Sequence, residues 1–295
     1  MENFFRQFAH WVEKTPDELA VVCDGQALTY AQLNRAIDRY AAMLWDRCDG
    51  QNHIAAYYGD IGIPCHVAVL AALKAQVGIY WADPHLDDAT TAGLSEKIGT
   101  ALVIAEPGLE DRAAALFTLP VIAAPSGEPP PATVPPFAYP ASNPNAAGTI
   151  RFTSGSTGLP KATPQIHSSL DARARLKAMA FQPPKPPETR HRYTTFNNLI
   201  EADLLFPHIL GNQVECFDFR KEGPVALAAW VRERRITSFA SFVAMARQLF
   251  ASSDGVFPDL QEVNVVGEPT YRADFEAFER CTLPGTVFGT RFGAS

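Results

Sequence analysis

No run of apolar residues approaches the ~18 needed to span a bilayer, and the N-terminal MENFFRQFAHWVEKTPDELA is broken by charge every few positions. Neither a membrane span nor an export signal is expected, and the chain reads as a soluble, cytoplasmic protein. Cysteine is sparse and scattered: Cys23, Cys48, Cys65, Cys216 and Cys281 form an odd set with no CxxC pair and no metal-ligand spacing. That argues against a disulfide framework and a zinc cluster, and points to reduced, mostly buried thiols. Positive charge is outweighed, 25 Lys and Arg against 32 Asp and Glu, for a formal net charge of -7. The few basic clusters, such as Arg232 to Arg235, fall on an amphipathic helical stretch, so no extended nucleic-acid face is expected. No internal repeat is visible.

What is present is the composition of a globular protein: 47% hydrophobic and 19% charged over 295 residues, enough for two ordinary domains. Asp24-Gly25 between two short apolar runs signals a hairpin. Tyr30 to Trp45 repeats apolar residues at helical spacing, with Leu33, Ile37, Tyr40, Ala41 and Leu44 on one face. Strand-like and helix-like stretches then alternate to residue 280, which predicts an α/β protein with two doubly wound, mostly parallel sheets and flanking helices. The stretch from Ala123 to Asn145 is too rich in Pro to hold a helix or a central strand. It divides the chain into lobes of 1–145 and 146–295, with strands free to cross between their sheets.

The segment TIRFTSGSTGLPKAT, Thr149 to Thr163, leaves an apolar run and packs Gly, Ser and Thr ahead of one lysine. A loop from the carboxyl end of a parallel strand into a helix, here predicted over Ile166 to Ala180, gathers backbone N–H groups and favours anions. Gly155 and Gly158 allow close backbone approach, Thr153, Ser154, Ser156 and Thr157 supply hydroxyls, and Lys161 supplies charge. Phosphate is the natural guest. The Walker spacing, GxGxxG and GxSxG are all absent here, which sets aside P-loop NTPases, dinucleotide folds and hydrolase elbows.

TSGSTGLPK, Thr153 to Lys161, resembles the signature loop of the adenylate-forming superfamily: acyl-CoA synthetases, luciferases and adenylation domains of non-ribosomal peptide synthetases. LTYAQLN (Leu28 to Asn34) and LAALKAQVGIYWADP (Leu70 to Pro84) resemble the motifs that precede it. His167, VVGEPTY (Val265 to Tyr271) and RFGAS (Arg291 to Ser295) resemble those that follow. The resemblance covers essentially the whole chain and implies that a carboxylate attacks the α-phosphorus of ATP, giving acyl-AMP and pyrophosphate. Such an in-line displacement needs positioned donors and cations rather than a nucleophilic side chain.

By this resemblance Thr153, Ser154, Gly155, Ser156, Thr157, Gly158 and Lys161 hold the ATP phosphates. Gly267, Glu268, Pro269, Phe292, Gly293 and Ser295 border the adenine and AMP, Ser295 standing where the family usually has Thr. Asn197 or Asn198 falls at the aspartate that pairs with the amino group of amino-acid substrates, and Leu199, Ala202 and Ser241 are candidate walls of the acyl pocket. An amide cannot balance a buried ammonium, so an aryl, hydroxy or keto acid is expected instead of an α-amino acid. ATP and Mg²⁺ are the expected cofactors, and CoA or a carrier-protein thiol the expected acceptor. The sequence stops one residue before the family's Mg²⁺ glutamate and before its C-terminal lysine domain, so no metal ligand and no secure catalytic residue is assigned. The chain is thus expected to be an N-terminal portion with little activity of its own. The alternative is a non-catalytic nucleotide-binding or interaction module.

Overall fold

The computed structural model describes residues 1–140, 143–153, 160–180, 192–195 and 204–291. A first helix α1 (Glu2–Lys14) leads to the hairpin β1 (Leu19–Cys23) and β2 (Gln26–Thr29). Its turn has both central residues at positive φ, Asp24 at 47° and Gly25 at 78°, the geometry that suits a two-residue hairpin loop. Helix α2 (Tyr30–Arg47) starts on a capping box in which Thr29 and Gln32 exchange hydrogen bonds. Its predicted apolar face is buried throughout.

Then follow β3 (Ile54–Tyr58), α3 (Ile63–Lys74), β4 (Gly78–Ala82), α4 (Asp88–Ile98), β5 (Leu102–Ala105), α5 (Glu110–Leu116) and β6 (Val121–Ala123). After the Pro-rich stretch come β7 (Ala147–Thr153), β8 (Lys161–Ile166), α6 (His167–Ala180), β9 (Arg192–Thr195), α7 (Phe206–Ile209) and β10 (Gln213–Glu215). The rest alternates: α8 (Phe219–Glu233), β11 (Ser238–Phe242), α9 (Val243–Ala251), β12 (Glu262–Val266), α10 (Arg272–Cys281) and β13 (Val287–Arg291).

Two sheets result. A seven-stranded sheet has the order β13-β12-β11-β9-β10-β1-β2, and a six-stranded sheet the order β6-β5-β3-β4-β7-β8. Each is parallel except for one antiparallel edge strand, β2 on β1 and β8 on β7. The sheets do not divide at residue 145. The N-terminal hairpin joins the strands of the C-terminal half through β1 and β10, and β7 and β8 join the N-terminal sheet beside β4.

Helix α3 shows why. From Ile63 to Leu73 it is apolar on every side but for His66, and only Pro64 in that span is not fully buried; a helix without a polar face must be covered all round. It touches β3 and β4 of one sheet and β1 and β2 of the other, so one apolar core runs between both sheets. Lys74 and Asp38 pair where α3 meets α2. A second core joins α8, α9 and α10 to β11 and β12.

The Pro-rich segment is strapped onto this framework. Tyr40 Oη donates to Ala123 O at 2.7 Å, and Gln76 Nε2 donates to Pro140 O at 3.0 Å. Phe137 packs on Trp45, and Tyr139 on Phe5.

Two expectations are corrected. The Ser/Gly loop does not lead directly into a helix: Lys161 opens β8, and the helix begins only at His167. The stretch KATPQI holds a proline and is exposed or half-buried throughout, so it reads as loop, and antiparallel pairing with β7 makes it a strand. At the other end, β13 occupies a stretch not expected to be a strand, and β12 supplies the parallel partner that makes it one.

Candidate nucleotide and acyl site

Strand ends locate the site. In the seven-stranded sheet Phe242 pairs with Val266 and Val266 with Arg291, so the carboxyl ends of β11, β12 and β13 lie side by side. Gly267 to Pro269 follow β12 directly, and Phe292, Gly293 and Ser295 follow β13. Asn197, Asn198, Leu199 and Ala202 follow β9, which pairs with β11. These motif segments therefore all leave one carboxyl edge, where open α/β sheets bind ligands. Residues 292–295 and 196–203 themselves lie outside the described residues, as do Ser154, Gly155, Ser156, Thr157 and Gly158.

The base of the phosphate loop is described. Thr153 of β7 and Lys161 of β8 are register partners in an antiparallel pair. The hairpin thus closes residues 154–160 at the neck and places Lys161, exposed, at the rim. Phe152 is fixed edge-on to Tyr80 at 5.5 Å, and Lys97 Nζ donates to Pro160 O at 3.3 Å. His167 lies elsewhere. It is fully buried beside Tyr139, and burial, with the N-terminal ammonium nearby, pushes its imidazole down to about 4.

The Gly-Glu-Pro turn is built around a residue that the sequence did not single out. Gly267 has φ 92°, and a Cβ there would sit 2.7 Å from Phe242 Cδ1. Only glycine combines that conformation with so close an approach. Arg247 of α9 grips Asp274 through Nε and an Nη at 2.6 and 2.9 Å, meets Glu268 at 3.4 Å, and donates to Pro269 O at 3.3 Å. The Arg247 hydrogen bonds hold the Asp274 carboxyl below its ordinary range, against the opposite pull of burial. Nothing in the spacing of Arg247 advertises this role, because its partners come from the next strand–helix connection. Ser241, fully buried, donates to Phe242 O at 3.0 Å.

Beside the turn a cleft of about 710 Å³ separates the carboxyl ends of the two sheets. Cys23, Cys216 and Phe242 border it from one sheet, Asp60, Trp81 and Glu106 from the other. Arg220 ties the sides by a two-pronged bond to Asp83, at 2.9 and 2.6 Å. Burial alone would raise the Asp83 carboxyl; the Arg220 and His85 hydrogen bonds and charges outweigh it and hold it low. Among the described residues no three His, Cys, Asp or Glu side chains gather as a metal site.

The family model described as AMP-binding enzyme matches residues 8–293. The chain belongs to the AMP-binding enzyme family. Its relatives include surfactin synthase subunit 2 of Bacillus subtilis (strain 168), 27% identical over 272 residues, which cover 88% of this chain and 7% of that protein. Malformin synthetase mlfA of Aspergillus sclerotiicarbonarius is 28% identical over 284 residues, covering 94% of this chain and 5% of that protein. Among solved structures, the non-ribosomal peptide synthetase FmoA3 (S1046A) in its AMPPNP-bound form superposes with a TM-score of 0.84 at 22% identity, over 99% of this chain and 31% of that one. The Klebsiella oxytoca NpsA N-terminal subdomain, in complex with 3-hydroxybenzoyl-AMSN, superposes with a TM-score of 0.77 at 17% identity, over 98% of this chain and 72% of that one. The chain spans only a small part of the synthetases it matches. No described helix of this AMP-binding family member is long and apolar enough to cross a membrane.

Proposed function

We propose that this chain is the ATP-binding portion of an enzyme that joins a carboxylic acid to ATP, giving acyl-AMP with release of pyrophosphate, and that it has little activity of its own. The observation that carries the reading is the hairpin neck at Thr153 and Lys161, which closes a hydroxyl- and glycine-rich loop in a chain of the AMP-binding family. In this reading Thr153 to Lys161 holds the β- and γ-phosphates as pyrophosphate leaves. Prepositioned donors and one cation stabilise the charge that builds on those oxygens. The turn at Gly267, Glu268 and Pro269 borders the adenine, together with Phe292, Gly293 and Ser295.

The acid is an aryl, hydroxy or keto acid, because Asn198 or Asn197 offers no charge to an α-ammonium. Leu199, Ala202 and Ser241 wall its pocket. The relatives are peptide synthetases, which favours a carrier-protein thiol over CoA as the acceptor.

Calorimetry with non-hydrolysable acyl-adenylate mimics tests this. A mimic carrying an aryl acid should bind at least about tenfold more tightly than one carrying an α-amino acid, the worth of one unpaired buried charge. The reverse order would overturn the substrate class. Failure to bind any mimic or ATP would overturn the nucleotide site itself. Nucleotide binding without acid-dependent pyrophosphate exchange in the full-length gene product would favour a non-catalytic module.

A further inference from the structure

Cys23 ends β1 and Cys216 directly follows β10. These strands are parallel, with Val21 opposite Val214 and Val22 opposite Glu215, and the Cys216 N–H extends the ladder to Val22 O at 2.9 Å. One more step of that register sets Cys23 opposite Cys216. Directly paired residues of neighbouring strands stand about 4.8 Å apart on the same face, inside the ~4.4–6.8 Å span that a disulfide bridges. The neighbouring Cys23 thiol, together with burial, pushes the Cys216 thiol up. Both are half-buried and both border the cleft between the sheets. Each sits where its strand gives out, Cys23 against the Asp24-Gly25 turn and Cys216 ahead of residues 217–218, so the backbone can yield to draw the sulfurs together.

The surroundings suit exchange rather than metal binding. His66 Nε2 lies 3.8 Å from Cys216 Sγ, and its Nδ1 meets His208 Nε2 at 3.1 Å. Cys65 is fully buried and out of reach of a reagent in the cleft. Asp24, Asp60, Glu106 and Asp218 line the cleft against one arginine, Arg220, which favours cationic over anionic reagents.

We propose that Cys23 and Cys216 are a reversible disulfide site, oxidised by a cationic low-molecular-weight disulfide that enters the cleft. The Cys23 thiolate, its proton released to water, attacks one sulfur of R–S–S–R; that S–S bond breaks and RS⁻ leaves. The Cys216 sulfur then attacks Cys23 Sγ of the mixed disulfide, its proton passing to the departing second RS⁻, which leaves as RSH. Two protein thiols lose two electrons and two protons, and R–S–S–R becomes two RSH.

Cystamine and oxidised glutathione are the probes. After cystamine treatment the intact chain should lose two hydrogens and two of its titratable thiols, regained with dithiothreitol, and peptide mapping should join Cys23 to Cys216. Cystamine should react about threefold or more faster than oxidised glutathione at low salt, the gap closing as salt screens it. Cys216→Ser should trap a stable adduct on Cys23, Cys23→Ser should form neither adduct nor bridge, and Cys48→Ser should behave as the unmodified sequence. Circular dichroism of each variant checks that it folds. A bridge to Cys65, a persistent mixed disulfide in the unmodified sequence, unreacted thiols, or faster reaction with oxidised glutathione would each overturn the proposal.

Discussion

Thr153 and Lys161 face each other across the antiparallel β7–β8 pair, so the loop between them is shut at its base before any ligand arrives. A loop closed in advance loses less conformational freedom on binding than an open one. Lys161 is exposed, so it contributes little to the fold. Lys161→Ala should therefore weaken ATP binding by about tenfold to a hundredfold, the worth of a charge-assisted contact, and leave the thermal midpoint within about 2 °C. Lys161→Arg should restore part of the affinity. Calorimetry and thermal melts decide it, and unchanged affinity in the alanine variant would remove this lysine from the site.

Gly267 offers a test of geometry. Its φ of 92° disfavours any side chain, and the Phe242 ring fills the place of a Cβ. Gly267→Ala should cost about 1–3 kcal/mol in urea unfolding. Adding Phe242→Leu should recover only the steric part, because the backbone strain stays. Full recovery in the double variant would show that the conformation itself costs nothing.

Much of this was legible in the sequence. The hairpin at Asp24-Gly25, strand β3 and the buried face of α2 follow from turn chemistry and periodicity, which are local properties. Gly267, Glu268 and Pro269 stood out only through the resemblance of VVGEPTY to a family motif. The exchange of β1 and β2 into the far sheet was left open, since strand order depends on which faces α3 must cover. Strand β8 read as loop because its partner β7 is what makes it a strand, and Arg247 was hidden by the distance to its partners: Asp274 lies 27 positions away, and no local pattern links the two.

Arg247 is the residue through which the turn can be loosened without touching it. Replacing it with Met removes the fork on Asp274 and the bonds to Glu268 and Pro269 O. We expect nucleotide affinity to fall severalfold, and Arg247→Lys to rescue it incompletely, since a lysine cannot form two parallel bonds. The carboxyl of Asp274 should move back up towards its ordinary range in Arg247→Met, visible in a carbon-detected NMR titration. With Arg247 present, the stability gained from a depressed carboxyl holds above the unfolded-state value and is lost as pH falls through the folded one. That acid-sensitive component should vanish in the variant. An unmoved Asp274 titration would refute the assignment.

His167 sets the behaviour at milder acidity. Its imidazole titrates at 6.5 when unperturbed and at about 4 in the fold, because burial first, and the N-terminal ammonium second, disfavour the charged ring. Between those values the unfolded chain holds the extra proton, so protonation pulls the equilibrium towards unfolding. Stability is complete above the unfolded value and declines as pH falls towards the folded one, by about 3 kcal/mol in all for a shift of this size. His66 acts in the same direction, its charged form disfavoured by burial and by the neighbouring His208. Urea unfolding followed from about pH 7 to about pH 5 should show ΔG falling by about 2 kcal/mol for His167, the slope steepening towards about 1.4 kcal/mol per pH unit below the unfolded value. His167→Gln, which cannot charge, should remove one group's share of that slope even if it is less stable at neutral pH. Identical slopes for the variant and the unmodified chain would mean that His167 takes its proton in both states, and that the acid response lies elsewhere.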